Sequence, residues 1–302
     1  MSHRDTTVRK VSVIIPVYNG QKTLNQCLES VLDQSYENFE VIVVDNNSTD
    51  NTKKIIQSFK KKHNNLVYAF EVERKRGATR NTGEKLAEGE VIVMTDSDCI
   101  VNSDWLSEIT KPIFDGECDA VQGFEVNIVD NFWARKIQQQ NEKQIKYLGN
   151  QIDTIGLIDT KNFAISMKTL QEIGFTNRKY FSGNDTELSI RCQKKKLRLK
   201  FLPNVIVQHY NSDSFQEVIA KNFYRALWCT KITKDHKIYL KRTSFLKQTN
   251  QTIWSFCKFF PGLIKTLFLF GFRYTYFDFI SGTSWRAGIL LGKISNKLEG
   301  GE

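Results

Sequence analysis

Short apolar segments alternate with amphipathic ones over the first hundred residues, and this alternation is the strongest constraint on the fold. Four largely apolar runs of strand length recur there: Val11–Ile15, Phe39–Val44, Leu66–Val72 and Glu90–Met94. Between them lie segments such as residues 23–34, in which apolar residues repeat at helical spacing. This order predicts the α/β class, with a mostly parallel sheet that carries helices on both faces.

The alternation loosens after Val101, and the later elements are less regular. We predict strands over Glu117–Val129, Phe163–Met167, Leu199–Phe201 and Val205–Gln208. We predict helices over Asn131–Tyr147, Lys168–Ile173 and Asp185–Lys196, with Gly174 as a C-terminal cap. From Phe215 onward the chain is predicted to be helical.

The charge balance indicates a polyanionic partner. The 302 residues carry a net charge of +10 and a pI near 9.2, which suits nucleic acid, an anionic membrane surface or phosphorylated substrates. Six cysteines are scattered without zinc-like spacing, so we expect reduced thiols in a cytoplasmic protein. The polar segment Met1–Lys10 predicts no secretory signal.

Two carboxylates, Asp96 and Asp98, follow the apolar run that ends at Met94. Ligands of an open α/β sheet bind beyond the carboxyl ends of its strands. A carboxylate pair there can hold a divalent cation, Mg²⁺ or Mn²⁺, which in turn binds substrate phosphates. A D-x-D pair alone is more often a solvated loop or a helix cap, so its interpretation depends on the neighbouring motifs.

Two polar clusters follow the first two predicted strands. Pro16 and Tyr18 lie where the first strand ends and the backbone can meet a ligand. Asp45 and Asn47 belong to the loop after the second strand, whose polar groups can bind a base or a ribose. Turn chemistry alone is the alternative explanation for each of these loops.

Arg76 and Arg80 lie in a third cluster, a glycine-bounded helix start. Guanidinium groups suit phosphate oxygens, and a helix N-terminus adds donors and positive potential. Seen alone, the two arginines could be solvated helix charges. Four polar clusters at the same edge of one predicted sheet are hard to explain as turns.

The four motifs resemble those of family-2 glycosyltransferases, enzymes of the GT-A fold that transfer a sugar from a nucleotide-sugar donor. The matching stretches are VSVIIPVYNG, VVDNNSTDNT, GATRNTG and MTDSDC, in this order. The resemblance covers about residues 9–230. It implies a GT-A-type, Rossmann-like, mostly parallel sheet flanked by helices, and inversion at the anomeric carbon.

The resemblance also implies roles for individual residues on the donor side. These are base contact for Asp45, packing on the nucleoside for Pro16 and Tyr18, proximity to the nucleotide for Arg80, proximity to the ribose for Asp96, and metal binding for Asp98. His209 follows a predicted strand, as a histidine often does in this family, where it can approach the metal or the diphosphate. A lone histidine is more often structural, so both explanations of His209 stay open.

A fifth match, over residues 162–185, resembles the acceptor-side region that supplies the catalytic base of the family. The family has two acidic residues there, whereas this chain has Asn184 and Asp185. We assign the base to Asp185, with Glu187 as a weaker candidate. A structural explanation also exists, because Asn184 and Glu187 match a capping box and Asp185 would complement the helix dipole. The two roles are compatible.

Two domains are expected, a catalytic one over residues 1–230 and a basic, aromatic-rich helical extension over residues 231–302. Charged residues interrupt the apolar segment Ile253–Leu291, so no uncharged run reaches the ~18 residues of a spanning helix. Basic residues interleaved with large aromatics suit helices in a membrane interface. We expect peripheral attachment to an anionic membrane surface, on its cytoplasmic face; packing on the catalytic domain or on a second copy is the alternative.

The predicted function is that of a metal-dependent, hexosyltransferase-like enzyme that transfers a single sugar from a nucleoside-diphosphate sugar. The acceptor would be a hydroxyl of a glycan or a lipid-linked carrier, in cell-surface glycan or lipid-linked oligosaccharide assembly. A sugar-phosphate nucleotidyltransferase is an alternative, but it would need a glycine-rich loop where Pro16–Asn19 stand. A nucleic-acid-binding protein would explain the charge but not the carboxylate pair, so no nucleic-acid partner is expected.

Overall fold

The computed structural model describes residues 8–149, 158–211, 214–237 and 272–298. The strands in these ranges are β1 Val11–Val17, β2 Phe39–Asp45, β3 Leu66–Phe70, β4 Val91–Met94, β5 Cys99–Val101, β6 Ala120–Asn127, β7 Phe163–Ser166 and β8 Leu199–His209. The helices are α1 Leu24–Leu32, α2 Thr52–Lys60, α3 Arg76–Leu86, α4 Trp105–Phe114, α5 Phe132–Gly149, α6 Met167–Ile173, α7 Asn184–Lys194, α8 Phe215–Asp235 and α9 Phe272–Leu298.

The described strands form one sheet in the order β3-β2-β1-β4-β7-β6-β8-β5. The first four strands are parallel to one another, and β6 and β8 are also parallel. The strands β7 and β5 run antiparallel to their neighbours. The predicted α/β fold with a mostly parallel sheet and flanking helices is therefore confirmed.

Burial explains why the first half of the sheet forms as the pattern predicts. The apolar residues of β1, β2 and β4 are almost fully buried, as expected for parallel strands covered on both faces. Helix α1 buries the face made by Leu24, Cys27, Leu28 and Val31. These buried side chains form the main core cluster together with alternate residues of the strands. Because β1, β2 and β4 are parallel, their carboxyl ends lie at the same edge of the sheet.

The elements after β4 differ from the prediction at four points. Helix α4 and the three-residue strand β5 have no predicted counterpart. The two predicted strands after residue 198 form one strand, β8, whose pairing with β6 shifts register between Gly123 and Phe124. The capping box predicted at the start of α7 is wrong, because the N-cap is Gly183, with a φ of 80°, and makes no side-chain capping bond.

The chain divides into two compact units, one within residues 1–129 and 140–211 and the other within residues 130–139 and 212–302. In the second unit, α8 packs against α9, and Asn222 donates a hydrogen bond of 2.9 Å to Ser281. Residues 253–271 of the predicted aromatic segment Ile253–Leu291, and residues 238–252 of the predicted basic extension, lie outside the described residues. Among the helices that are described, none has the length and apolar character needed to cross a membrane.

Candidate active site

The loop after β4 carries Asp96 and Asp98 and is held by helix α1. The hydroxyl of Thr23 donates a hydrogen bond of 2.9 Å to the carbonyl of Ser97. The backbone N–H of Cys99 donates to the carbonyl of Asp96 at 3.1 Å and closes a tight turn. The two carboxylates therefore extend from a loop that is held in place at the carboxyl edge of the sheet, where the sequence predicts a ligand site.

Arg80 contacts the first carboxylate of this loop. Its Nη2 atom lies 2.8 Å from Oδ1 of Asp96, and the arginine is only 5% exposed. Burial by itself would lower the pKa of the guanidinium, but the carboxylates of Asp96 and Asp185 nearby raise it above its usual value. A second guanidinium nitrogen, Nε, is buried without a hydrogen-bond partner. Arg80 is thus a fixed positive charge with unused donor capacity at the predicted nucleotide site.

Arg76 differs from Arg80 although both belong to helix α3. Arg76 is the first residue of the helix and is exposed, whereas Arg80 lies one turn later and is buried. The structure therefore brings Arg80 into the aspartate cluster and leaves Arg76 at the solvent-facing start of the helix.

Asp98 lies close to His209 because Asp98 directly precedes β5, and β5 pairs with β8, which ends at His209. Cys99 and His209 face each other in the antiparallel pair of β5 and β8, which brings Nε2 of His209 to 3.4 Å from Oδ2 of Asp98. Two ligands of one cation at bond lengths of about 2.1 Å lie roughly 3 Å apart when adjacent, so a carboxylate and an imidazole at this spacing fit a shared divalent cation.

The thiol of Cys99 lies beside the same pair, but its chemistry makes it a poor metal ligand. Burial, together with the charges of Asp98 and Asp96, raises the pKa of Cys99 well above its usual value. The sulfur therefore stays protonated, and a soft thiol suits neither Mg²⁺ nor Mn²⁺. The donor set that fits a hard cation is Asp98 and His209.

Two loops at the ends of β1 and β2 are joined by hydrogen bonds. The backbone N–H of Asn19 donates to the hydroxyl of Ser48 at 2.9 Å, and that of Thr49 donates to Oδ1 of Asn19 at 2.8 Å. The N–H of Gly20 donates to the hydroxyl of Thr52 at 2.8 Å. These bonds explain Asn19, Ser48 and Thr52 as mutual support between the two loops rather than as parts of isolated turns.

The residues predicted to hold the nucleoside lie on and between these loops. Asp45 ends β2, is 1% exposed, and accepts a hydrogen bond of 3.0 Å from the N–H of Ser48. Asn47 follows in a left-handed conformation with a φ of 59°. Pro16 is half-buried near the end of β1. Tyr18 is 48% exposed, and the guanidinium of Arg74 lies 4.5 Å from the centre of its ring.

Asp185 lies in the first turn of α7 and is half-buried. Its Oδ1 atom accepts a hydrogen bond of 2.7 Å from the hydroxyl of Thr160, which is itself 2% exposed. Glu187 is engaged elsewhere, because the guanidinium of Arg191 binds both of its carboxylate oxygens at 3.0 Å. Of the two predicted candidates for the base, Asp185 keeps the freer carboxylate.

Sequence reasoning missed two polar residues that contact predicted site residues, Thr160 and Glu125, and a third, Lys161, that contacts Glu125. Thr160 binds Asp185, and Glu125 lies 3.4 Å from Nδ1 of His209. Lys161 lies 2.7 Å from Glu125. The only local signal was the resemblance at residue 162, because contacts between β6 and the 158–162 loop depend on the antiparallel insertion of β7 into the sheet.

Comparison with solved structures identifies the class of fold. The chain superimposes on a mannosyltransferase, PcManGT, from Pyrobaculum calidifontis, whose structure holds GDP-Man and Mn²⁺. The TM-score is 0.62 at 18% sequence identity, and the match covers 98% of this chain and 77% of the other. The fold is therefore of the GT-A type.

Comparison with sequences identifies the family. The profile described as "Glycosyl transferase family 2" matches residues 12–174. The chain is 30% identical over 223 residues to the glycosyltransferase AglE of Haloferax volcanii, with 72% of each chain covered. It is 24% identical to the GalNAc(5)-diNAcBac-PP-undecaprenol beta-1,3-glucosyltransferase of Campylobacter jejuni, with 85% of this chain and 84% of that protein covered.

This chain therefore belongs to glycosyltransferase family 2. It is an enzyme that uses a nucleotide-sugar donor, as the four ordered motifs predicted. Neither the nucleotidyltransferase nor the nucleic-acid-binding alternative receives support from these matches.

Proposed function

We propose that the chain transfers one sugar from a nucleoside-diphosphate sugar to an acceptor hydroxyl, with inversion at the anomeric carbon. The observation that carries this proposal is the pairing of Arg80 with Asp96 at 2.8 Å beside the Asp98–His209 pair. These groups combine a fixed positive charge with a cation site where the β4 strand ends. A departing diphosphate needs both.

The nucleoside would lie between the joined loops of β1 and β2. Tyr18 offers an exposed ring on which a base can stack. Asp45 offers a carboxylate that can accept a hydrogen bond from a base nitrogen, and Asn47 and Asp96 offer polar groups toward the ribose. Pro16, half-buried near the end of β1, would pack on the nucleoside together with Tyr18, and the exposed Arg76 adds positive potential at the start of α3.

Asp98 and His209 would hold the metal. A carboxylate oxygen and an imidazole nitrogen suit Mn²⁺ well, and the carboxylate with substrate phosphates suits Mg²⁺. The mannosyltransferase with the same fold binds Mn²⁺ together with GDP-Man, which supports a divalent cation here. Such an ion, when bound, supplies positive charge that stabilises the departing diphosphate.

Asp185 would be the general base. Its carboxylate takes the proton of the acceptor hydroxyl, whose oxygen then attacks the anomeric carbon. The bond between that carbon and the diphosphate oxygen breaks, and the nucleoside diphosphate leaves with the electron pair. The charge of Arg80 stabilises the negative charge that develops on it. One displacement of this kind inverts the anomeric centre.

The acceptor class is proposed from a relative and from the second unit of the chain. The Campylobacter jejuni relative acts, by its name, on an undecaprenol-linked oligosaccharide, so we propose a lipid-linked or glycan acceptor. Helix α9 exposes Phe279, Leu290, Leu291 and Ile294, each by 37–48%. Apolar side chains on a basic protein favour peripheral attachment to an anionic membrane, and we propose the cytoplasmic face as the site of transfer.

Binding and transfer test the donor site and the base separately. Nucleoside diphosphates are titrated calorimetrically into the wild type with Mn²⁺ and with a chelator, and we expect tight binding only with the metal. Asp98→Asn should lose this metal-dependent binding, whereas Asp185→Asn should keep it and lose transfer by about 10³-fold, within the range for general base catalysis. Asp104→Asn, at an exposed helix cap, is the matched control and should behave as wild type.

Two results would overturn these assignments. If no nucleoside diphosphate binds the wild type in a metal-dependent way, the donor site is wrong. If Asp185→Asn transfers sugar at the wild-type rate, Asp185 is not the base.

Membrane attachment is tested with liposomes that contain anionic lipid. We expect wild-type protein to sediment with them and Leu291→Glu to stay in the supernatant. The matched control is Leu86→Glu, because Leu86 lies in the other unit with nearly the same exposure, 47% against 48%. Equal sedimentation of both variants with the wild type would rule out attachment through α9.

A further inference from the structure

A buried lysine connects two carboxylates behind the proposed metal site. The Nζ atom of Lys161 lies 2.7 Å from Oε2 of Glu125 and 2.9 Å from Oδ2 of Asp159. The lysine side chain is 16% exposed and that of Glu125 is 7% exposed. Burial would lower the pKa of the ammonium, but the two carboxylates outweigh burial and raise it well above its usual value. Lys161 is therefore charged, and it neutralises the carboxylate of Glu125, which would be costly to bury alone; the side chain of Asp159 is 38% exposed.

Glu125 lies between Lys161 and His209 and contacts both. The same oxygen that faces Lys161 lies 3.4 Å from Nδ1 of the imidazole, and Nε2 on the opposite side of the ring faces Asp98 at 3.4 Å. A carboxylate beside Nδ1 favours the tautomer with its proton on that nitrogen. The lone pair of Nε2 then points to the side where a cation on Asp98 would lie.

The loop that carries Lys161 is firmly attached to the sheet. The N–H of Asp159 donates to the side chain of Gln122 at 2.9 Å, and the N–H of Lys161 donates to Asp159 at 3.1 Å. Asn162 donates to the carbonyls of Phe124 and Val205 at 2.8 and 2.9 Å. The backbone from which the Lys161 side chain extends is therefore held in place, as a positioning role requires.

We propose that Lys161 is a positioning residue that acts through Glu125 to hold the imidazole of His209 with Nε2 toward the cation site. This inference rests on the proposed metal-binding function of Asp98 and His209. A buried ion pair is weak evidence for stability, since apolar residues of similar size often stabilise a core more. The best-supported use of a buried ion pair is to fix one geometry. Here the Lys161–Glu125 pair would fix the orientation of the His209 imidazole.

The test measures metal affinity rather than turnover. Free Mn²⁺ is followed by electron paramagnetic resonance while it is titrated into each protein with the nucleoside diphosphate that the wild type binds most tightly. We expect Lys161→Met to bind Mn²⁺ about 10–100-fold more weakly, the usual loss on removing a partner that orients a metal ligand. Lys161→Arg keeps the positive charge and should restore affinity to within a few-fold of wild type.

The matched control is Lys111→Met, which removes a lysine from an exposed ion pair with Asp115 and should leave Mn²⁺ affinity unchanged. Thermal unfolding of every variant separates lost binding from lost folding. If Lys161→Met does not fold, Glu125→Gln takes its place, because it keeps the shape while removing the charge beside Nδ1. It too should weaken Mn²⁺ binding at least tenfold.

The failure of this inference can be told apart from the failure of the proposed function. A wild type that binds no Mn²⁺ with any nucleoside diphosphate would refute the metal site itself. A wild type that binds Mn²⁺, together with a folded Lys161→Met or Glu125→Gln of equal affinity, would refute the positioning role of Lys161. A Lys161→Arg variant as weak as Lys161→Met would also count against it, because charge would then not be what matters.

Discussion

Gly77 provides a direct test of how closely the donor and acceptor sides of the site must be held. It is the second residue of α3, three residues before Arg80, and its N–H donates to the carbonyl of Tyr180 at 3.2 Å. A methyl group added at Gly77 would lie 2.2 Å from the carbonyl oxygen of Asn177 and 2.9 Å from that of Tyr180. Both obstacles are backbone atoms, so neither can rotate away.

The size of the effect follows from this overlap. Real Cβ atoms essentially never lie closer than 3.0 Å to another atom, so Gly77→Ala must separate α3 from the 177–184 segment by about 1 Å. Asp185 directly follows that segment. A displacement of about 1 Å at a reacting group can cost 10²-fold in rate, which is about 2.7 kcal/mol of transition-state stabilisation. We therefore expect kcat to fall about a hundredfold.

Gly83→Ala is the control for this experiment because it makes the same change in the same helix. Its methyl group would meet side-chain methyls of the core, Ile14 Cγ2 at 2.6 Å and Val44 Cγ2 at 3.2 Å, which lie away from the acceptor side. Both variants gain helix propensity of about 1 kcal/mol, so this gain cancels between them. Gly83→Ala should lose thermal stability and keep kcat near wild type.

The assay is sugar transfer at saturating donor and acceptor, at a temperature well below the unfolding midpoint of each variant. Nucleoside diphosphate binding is measured in parallel to show that the donor site survives. A Gly77→Ala enzyme with kcat within threefold of wild type would refute this reasoning. The close approach of α3 to the 177–184 segment would then not be needed to position Asp185, the proposed base.

Three further predictions follow from other contacts of the site. Thr160→Val removes the hydroxyl that donates to Asp185 and should lower kcat about tenfold, with nucleoside diphosphate affinity unchanged; a changed affinity and a normal kcat would contradict this. Tyr18→Leu should weaken nucleoside diphosphate binding by about 1 kcal/mol or more, whereas Tyr18→Phe should retain it; calorimetry that finds no difference would exclude stacking. Burial raises the pKa of Glu84 despite the bonds that it accepts from Thr176, so its contribution to stability declines as pH rises above about 4.3, the usual value in an unfolded chain. Glu84→Gln should therefore unfold at higher urea concentration than wild type at pH 8 and at the same concentration at pH 4, and equal midpoints at pH 8 would show that the charge costs nothing there.

The parallel half of the sheet could be predicted because its signal is local. Each of β1, β2 and β4 is a short apolar run with a polar loop directly after it, and burial on both faces requires that composition. Their carboxyl ends must meet at one edge, which is why Asp45 and Asp96 could be assigned to one site before their positions were known.

The second half could not be predicted because its signals depend on tertiary pairing. The strand β5 is three residues long, too short for a periodic pattern to show. The strand β8 looked like two because Pro203 interrupts it, while the irregular pairing with β6 after Gly123 accommodates the interruption. At α7 the local capping motif at Asn184 was overridden, since Gly183 with its left-handed backbone begins the helix instead.

The same limit applies to the site. Asp98 and His209 are more than a hundred residues apart, and only the resemblance suggested that they could share a ligand. Lys161 and Glu125 look like ordinary charged residues in the sequence, because nothing local shows that β7 enters the sheet antiparallel between β4 and β6. That topology turns two scattered charges into a buried pair next to the histidine.

Because β5 lies at the edge of the sheet, amide exchange in β5 should report whether the proposed metal site is occupied. Among the described strands, β5 pairs with β8 alone, so the amides of Cys99–Val101 should exchange with solvent through small local openings. A ligand that bridges Asp98 and His209 ties these two strands together. At a hundred times its Kd it would suppress such openings by about 2.7 kcal/mol. Deuterium uptake of this three-residue strand should then give the affinity for any donor, including donors whose acceptor has not been found.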